Sequence, residues 1–183
     1  MDDKKFNLLD EPWICVMKEN GEVKELSLMD VLLHAHQYRR LAGELPTQDV
    51  AVLRLLLAVL QTVVYRYDTD GNEDELVETE DAYERWKEIW NDGKLPDKPI
   101  QEYLTKWKAR FYLYDSDRPF YQVPKAAIGT ECKAAKLNGE ISESSNKLRL
   151  FSNRAGKEKE FLSNSEAARW LLYLNGYDDT SAK

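Results

Sequence analysis

A chain of 183 residues with 43% hydrophobic and 32% charged content has room for one hydrophobic core and is too rich in both classes to be disordered or fibrous. Its net charge of −7 argues against a freestanding nucleic-acid binder, which draws affinity from clustered Lys and Arg. Cys15 and Cys132 lie too far apart to signal a zinc site or a disulfide framework, and the first ten residues lack the pattern of a secretory signal, so a cytoplasmic chain is expected.

Residues 13–18 and 22–26 flank Glu19-Asn20-Gly21, and Asn-Gly between two short apolar-containing runs predicts a β-hairpin. Ser27 is placed to N-cap a helix over 28–40 whose apolar positions include Val31, Leu32, Ala35 and Tyr38. Leu45-Pro46 breaks that helix, and a second is expected from an N-cap at Thr47 to Tyr67. The stretch 50–65 is apolar almost all round but carries Arg54 and Gln61 and falls short of the roughly 20 residues a bilayer requires, so it reads as the core helix, with no membrane contact.

After an acidic loop at 68–75, Ala82, Tyr83, Trp86, Ile89 and Trp90 repeat at helical spacing, with Gly93 as the stop. A further aromatic-rich helix is expected over 100–111, and 111–114 is strand-like. Residues 129–146, rich in Lys, Gly, Ser and Glu, read as a long mobile loop. Ser163-Asn164-Ser165-Glu166 is a capping box opening a last helix that should end at Gly176. The predicted class is α+β, predominantly helical: an N-terminal β-hairpin, a helical core and a long basic loop at 125–160, in one domain over 1–183.

Catalytic patterns fail on inspection. Asp68-Thr69-Asp70-Gly71-Asn72 opens like a calcium loop, yet Glu73 stands where the turn needs Gly and Thr79 where a bidentate Glu would close the shell. His34 and His36 are two apart on one helix and point to different faces, unlike a helical zinc pair. There is no nucleophile elbow and no phosphate-cradling loop, and among 33 acids carboxylate pairs carry little information. No catalytic residue, metal or cofactor is therefore expected.

One window departs from the acidic average. Residues 125–159 hold eight Lys or Arg against four Glu, a local charge of +4 that leaves −11 elsewhere. Here Phe151 offers a stacking face and Asn153 a donor and acceptor among cations, a combination suited to nucleic acid.

Phe6-Asn7-Leu8-Leu9-Asp10-Glu11-Pro12-Trp13-Ile14 resembles the opening of the large subunit of the type I-E CRISPR surveillance complex, the CasA family of Cascade. Ser27-Leu28-Met29-Asp30-Val31-Leu32, and the run from Leu41-Ala42-Gly43-Glu44-Leu45-Pro46-Thr47-Gln48-Asp49 to Leu57, are similar to that family's N-terminal helical signature. Pro119-Phe120-Tyr121-Gln122 and Glu166-Ala167-Ala168-Arg169-Trp170-Leu171-Leu172 follow in the family's order, so the likeness covers the chain and about the first third of the family's length.

The resemblance implies a binding subunit, not an enzyme. It implies an N-terminal α/β domain followed by a C-terminal four-helix bundle that is absent here, with the family's glycine-rich loop due to begin around 176–183. Phe151-Ser152-Asn153 looks like the family loop near the guide RNA 5′ handle and the protospacer-adjacent motif, with Lys147, Arg149, Arg154 and Lys157 placed to meet phosphates. Implied partners are guide RNA, the other complex subunits, target double-stranded DNA and a helicase-nuclease: base pairing reads the target while protein reads a short adjacent duplex. The alternative is a structural fragment that docks on other subunits without reading nucleic acid.

Overall fold

A computed structural model describes residues 4–129, 131, 133–138, 154 and 160–177. Strand β1 (Lys5–Asn7) leads into a tight turn built by one side chain: Asn7 Oδ1 accepts from the Leu9 amide at 3.0 Å, and Asn7 Nδ2 donates to the Lys108 carbonyl at 3.1 Å. The turn delivers Trp13 to the centre of the core, fully buried, with its indole N–H donating 2.9 Å to the Leu8 carbonyl. A buried indole needs such a partner, because an unmade hydrogen bond there costs about 1–3 kcal/mol.

The hairpin forms as expected. Strands β2 (Ile14–Met17) and β3 (Val23–Leu26) pair antiparallel, Ile14 opposite Leu26 and Met17 opposite Val23, and Gly21 supplies the positive φ of the turn. Ser27 caps α1 (Leu28–Leu33), its hydroxyl accepting from the Asp30 amide at 3.0 Å. This helix is shorter than its apolar spacing predicts. It gives way to a 3-10 turn (Ala35–Gln37), because Arg40 and Leu41 are drawn into β4 (Arg40–Leu41), which pairs with β2 in the order β3-β2-β4.

The long helix α2 (Pro46–Arg66) starts one residue before Thr47, and its N-cap is Leu45. Pro46 decides this: its fixed φ suits the first helical position, and it pushes Leu45 into extended backbone at φ −135°, ψ 142°. Two side chains of the first turn reach backward, Asp49 Oδ1 accepting from the Gly43 amide at 2.7 Å and Gln48 Oε1 from the Glu44 amide at 3.1 Å. A Cβ at Gly43 would lie 2.7 and 2.8 Å from those two oxygens, so any larger residue would displace the side chains that make these bonds.

By length and composition α2 could cross a membrane, but half of its apolar window is buried against the rest of the chain. Ala51, Val52, Leu55, Leu56, Val59, Leu60, Val63 and Val64 enter the core. It is less enclosed than its sequence suggests: Val50, Leu53 and Leu57 are more than two-fifths exposed.

Helix α3 (Thr79–Asp92) ends as predicted at Gly93, φ 69°. Helix α4 (Asp97–Trp107) packs Ile100 and Leu104 into the core against α1 and α2, and a 3-10 turn (Lys108–Arg110) leads into β5 (Tyr112–Tyr114), which pairs antiparallel with β1. The segment Pro119-Phe120-Tyr121-Gln122 folds back on that strand. The Phe120 amide donates 2.8 Å to the Tyr112 carbonyl, Gln122 Nε2 donates 2.8 Å to the Leu113 carbonyl, and the Phe120 ring stacks on Phe111.

The reading of 129–146 as one loop needs correcting where it is described: Ala134–Leu137 is a short helix, α5, with Ala135 and Asn138 buried, and residues 139–146 lie outside the described residues. Helix α6 (Asn164–Tyr177) closes the core against α2 and runs through Gly176 instead of stopping there. Ala168 and Leu172 join the same hydrophobic cluster as Trp13, Leu28, Val63 and Leu104.

Candidate nucleic-acid interface

Of the residues expected at the interface, Lys147, Arg149, Phe151, Ser152, Asn153 and Lys157 lie outside the described residues, and Arg154 lies within them. Arg154 is held in a built socket. Its Nη2 donates 2.7 Å to both carboxylate oxygens of Glu44 and 2.8 Å to Glu166 Oε1, and its Nε donates 3.2 Å to Glu44 Oε2. The Arg154 side chain is 9% exposed and each carboxylate 28%, so two carboxylates and a cation meet in partial contact with water, as charge-assisted hydrogen bonds.

Each wall of the socket has a local cause. Glu44 sits at the corner fixed by Gly43, Gln48 and Asp49, and the Trp170 indole N–H donates to its Oε1 at 3.1 Å. Glu166 is the last residue of the capping box, three after its cap: its Oε2 accepts from the Ser163 amide at 2.7 Å while the Ser163 hydroxyl accepts from the Glu166 amide at 3.2 Å. One glutamate thus caps α6 and grips Arg154 with its two oxygens.

Burial acts to raise the pKa of the Glu166 carboxyl, but the Ser163 hydrogen bonds and the Arg154 charge outweigh it, and the group titrates below the ordinary glutamate value. Burial acts to lower the Arg154 pKa, and the bonds to Glu44 and the charges of both glutamates reverse that, so it is raised.

A second arginine braces the neighbouring face. Arg169 Nη1 donates 2.6 Å to the Trp13 carbonyl and 2.6 Å to Glu25 Oε1, joining α6 to the start and end of the hairpin. Beside it, burial pushes the Cys15 thiol up to about 11, so it stays protonated at neutral pH.

The socket residues Glu44, Glu166 and Trp170, and the brace Arg169, are absent from the set read off the sequence. All fall inside segments that carry the family resemblance, yet 110 residues separate Glu44 from Arg154 and no local pattern joins them. Among the described residues no group of three or more His, Cys, Asp or Glu is arranged to hold a metal ion.

Residues 7–183 match the family model for CRISPR-associated protein Cse1. A curated relative from Thermus thermophilus, described as CRISPR-associated protein CasA/Cse1, is 33% identical over 169 residues, 92% of this chain and 31% of the relative. The crystal structure of Thermobifida fusca Cse1 superposes with a TM-score of 0.75 at 34% identity, over 97% of this chain and 31% of that one. A chain of a structure described as "CRISPR RNA-guided surveillance complex, pre-nicking" shares the fold, with a TM-score of 0.74 at 21% identity over 95% of this chain and 34% of its own. The present chain therefore spans about a third of the length of these relatives.

Proposed function

This chain belongs to the CRISPR-associated Cse1 family, and from that membership we propose that it is the N-terminal portion of a non-catalytic subunit of an RNA-guided DNA surveillance complex in the cytoplasm. The observation that carries the reading is the family match over residues 7–183, reinforced by the likeness to a chain of an RNA-guided surveillance complex. Its partners in this reading are the guide RNA, the other complex subunits, target duplex DNA and a helicase-nuclease recruited once the target is opened.

Within the basic window, Phe151 and Asn153 are the residues assigned to stacking and base-edge contact at the guide 5′ handle and the protospacer-adjacent motif, with Ser152 between them. Lys147, Arg149 and Lys157 are assigned to phosphates. Arg154 is bonded to Glu44 and Glu166, and in this reading it fastens the basic window to the start of α6 and to the corner at Gly43.

The test uses the full-length subunit assembled with the other complex subunits, titrated with handle RNA and with motif-bearing duplex. Alanine at Phe151 and Asn153 should weaken binding by roughly 1–3 kcal/mol per lost stacked or bidentate contact while assembly survives. Unchanged target binding would instead favour the second reading, a fragment that only docks other subunits.

A further inference from the structure

Helix α3 carries far more aromatic surface than it buries. It rests on the body through Ile89 and through Arg85, whose Nη1 donates 2.8 Å to the carbonyls of Val64 and Asp74 and whose Nη2 pairs with the Asp74 carboxylate. On its outer side Tyr83 is 65% exposed, Trp86 40% and Trp90 85%. Spaced i, i+3 and i+7, the three rings form one stripe, of the residue types that dominate binding energy at protein interfaces.

The stripe is grooved. Trp86 borders a cleft of about 450 Å³ shared with Ala35, His36, Ile89, Trp90 and Leu95. It also borders a second cleft of about 570 Å³, shared with Ala58, Gln61, Thr62, Tyr65 and the exposed Arg66 of α2, the one cation among the described residues of its lining. Each has room for a large apolar side chain.

The charge around the stripe selects the occupant. Residues 68–92 hold eleven carboxylates against Arg85 and Lys87, a local −9 in a chain whose total is −7, and Arg66 on the lining of the second cleft reduces that excess only to −8. Arg85 is buried on Asp74, and Lys87 lies 3.4 Å from Glu84 and over the Tyr83 ring. Lys94, at the edge of the first cleft, pairs with Asp97 at 2.9 Å. A third cleft beside the stripe is lined by Asp68, Asp74, Glu75, Asp81, Glu84 and Glu88. Such a field repels the phosphates of nucleic acid, and a two-fold contact between copies would set −9 against −9.

We propose that the α3 face is a docking site for a basic polypeptide segment of another protein, its large apolar side chains entering the clefts beside Trp86 and its Lys and Arg meeting the surrounding carboxylates. The site gives the molecule a protein-binding surface opposite in sign to its basic window, and electrostatic complementarity sets its specificity while the tryptophans supply the affinity.

The experiment is fluorescence anisotropy of the full chain with three labelled probes: an amphipathic lysine–leucine helix, the same helix with serine for leucine, and the same helix with glutamate for lysine. The lysine–leucine peptide should bind saturably, about tenfold tighter than either control, and weaken as salt rises. Trp90→Ala should weaken it about tenfold with the melting temperature unchanged, since that side chain is almost wholly in solvent, and Tyr83→Ser should act in the same direction. Equal binding of the lysine–serine peptide, or no effect of Trp90→Ala, would overturn the proposal by reducing the face to undirected charge. It would equally be overturned by sedimentation showing a dimer that Trp90→Ala dissolves, or by handle RNA or duplex DNA binding lost in that variant.

Discussion

Arg154 is bonded to two carboxylates from distant parts of the chain, Glu44 and Glu166. Replacing it by alanine leaves Glu44 and Glu166, each about a quarter exposed, facing one another with no cation between them. Breaking a mostly buried pair in this way should cost about 2 kcal/mol, which for a chain of this size lowers the melting temperature by about 6 °C. Arg154→Lys should recover only part, because an ammonium cannot reproduce the forked contact to two carboxylates. Adding Glu44→Gln to Arg154→Ala should recover part as well, by removing the stranded charge. Thermal melts of the three variants check this, and an Arg154→Ala melt that overlays the parent would mean the socket contributes nothing to stability.

At the scale of elements, α6 begins on a carboxylate whose ionisation is linked to folding. The Glu166 pKa is lowered from 4.5 in the folded chain, so its contribution is fully present above that value and is lost as pH falls through the lower folded value. In Glu166→Gln the melting temperature should be reduced at neutral pH and the gap to the parent should narrow on acidification below about 4.5. Parallel curves would show that the capping box does not carry the linkage. The elements themselves were legible where local chemistry decides them: the Asn20-Gly21 turn, the Ser27 cap, the Gly93 stop and the Ser163–Glu166 box. They were misread where a distant strand competes. The helical spacing expected over 28–40 reaches Tyr38, but β2 offers Arg40 and Leu41 a hydrogen-bonded edge that outweighs another turn of helix. Thr47 has the side chain of a cap, but the backbone restriction that Pro46 imposes on Leu45 sets the cap two residues earlier.

For the whole molecule, charge is segregated: 68–92 carries −9 and 125–159 carries +4. Self-repulsion within the acidic stretch acts at solvent-exposed positions, so sodium chloride should raise the melting temperature by screening it. A fall with salt would instead make the paired arginines, Arg154 and Arg169, the dominant electrostatic contribution to stability. This segregation could be read from the sequence, and so could the basic window; the socket that fastens Arg154 could not, since its walls come from residues 44, 166 and 170 and meet only after the fold closes. The brace from Arg169 to the Trp13 carbonyl spans 156 residues, and it has a temporal meaning. On the ribosome the hairpin can pair as soon as its own residues emerge, but the backbone carbonyl beside the central tryptophan must wait for nearly the whole described chain before its arginine arrives. Until α6 is translated, the groove it will fill on α2 stands open, and the nascent chain is most exposed to wrong partners during that interval.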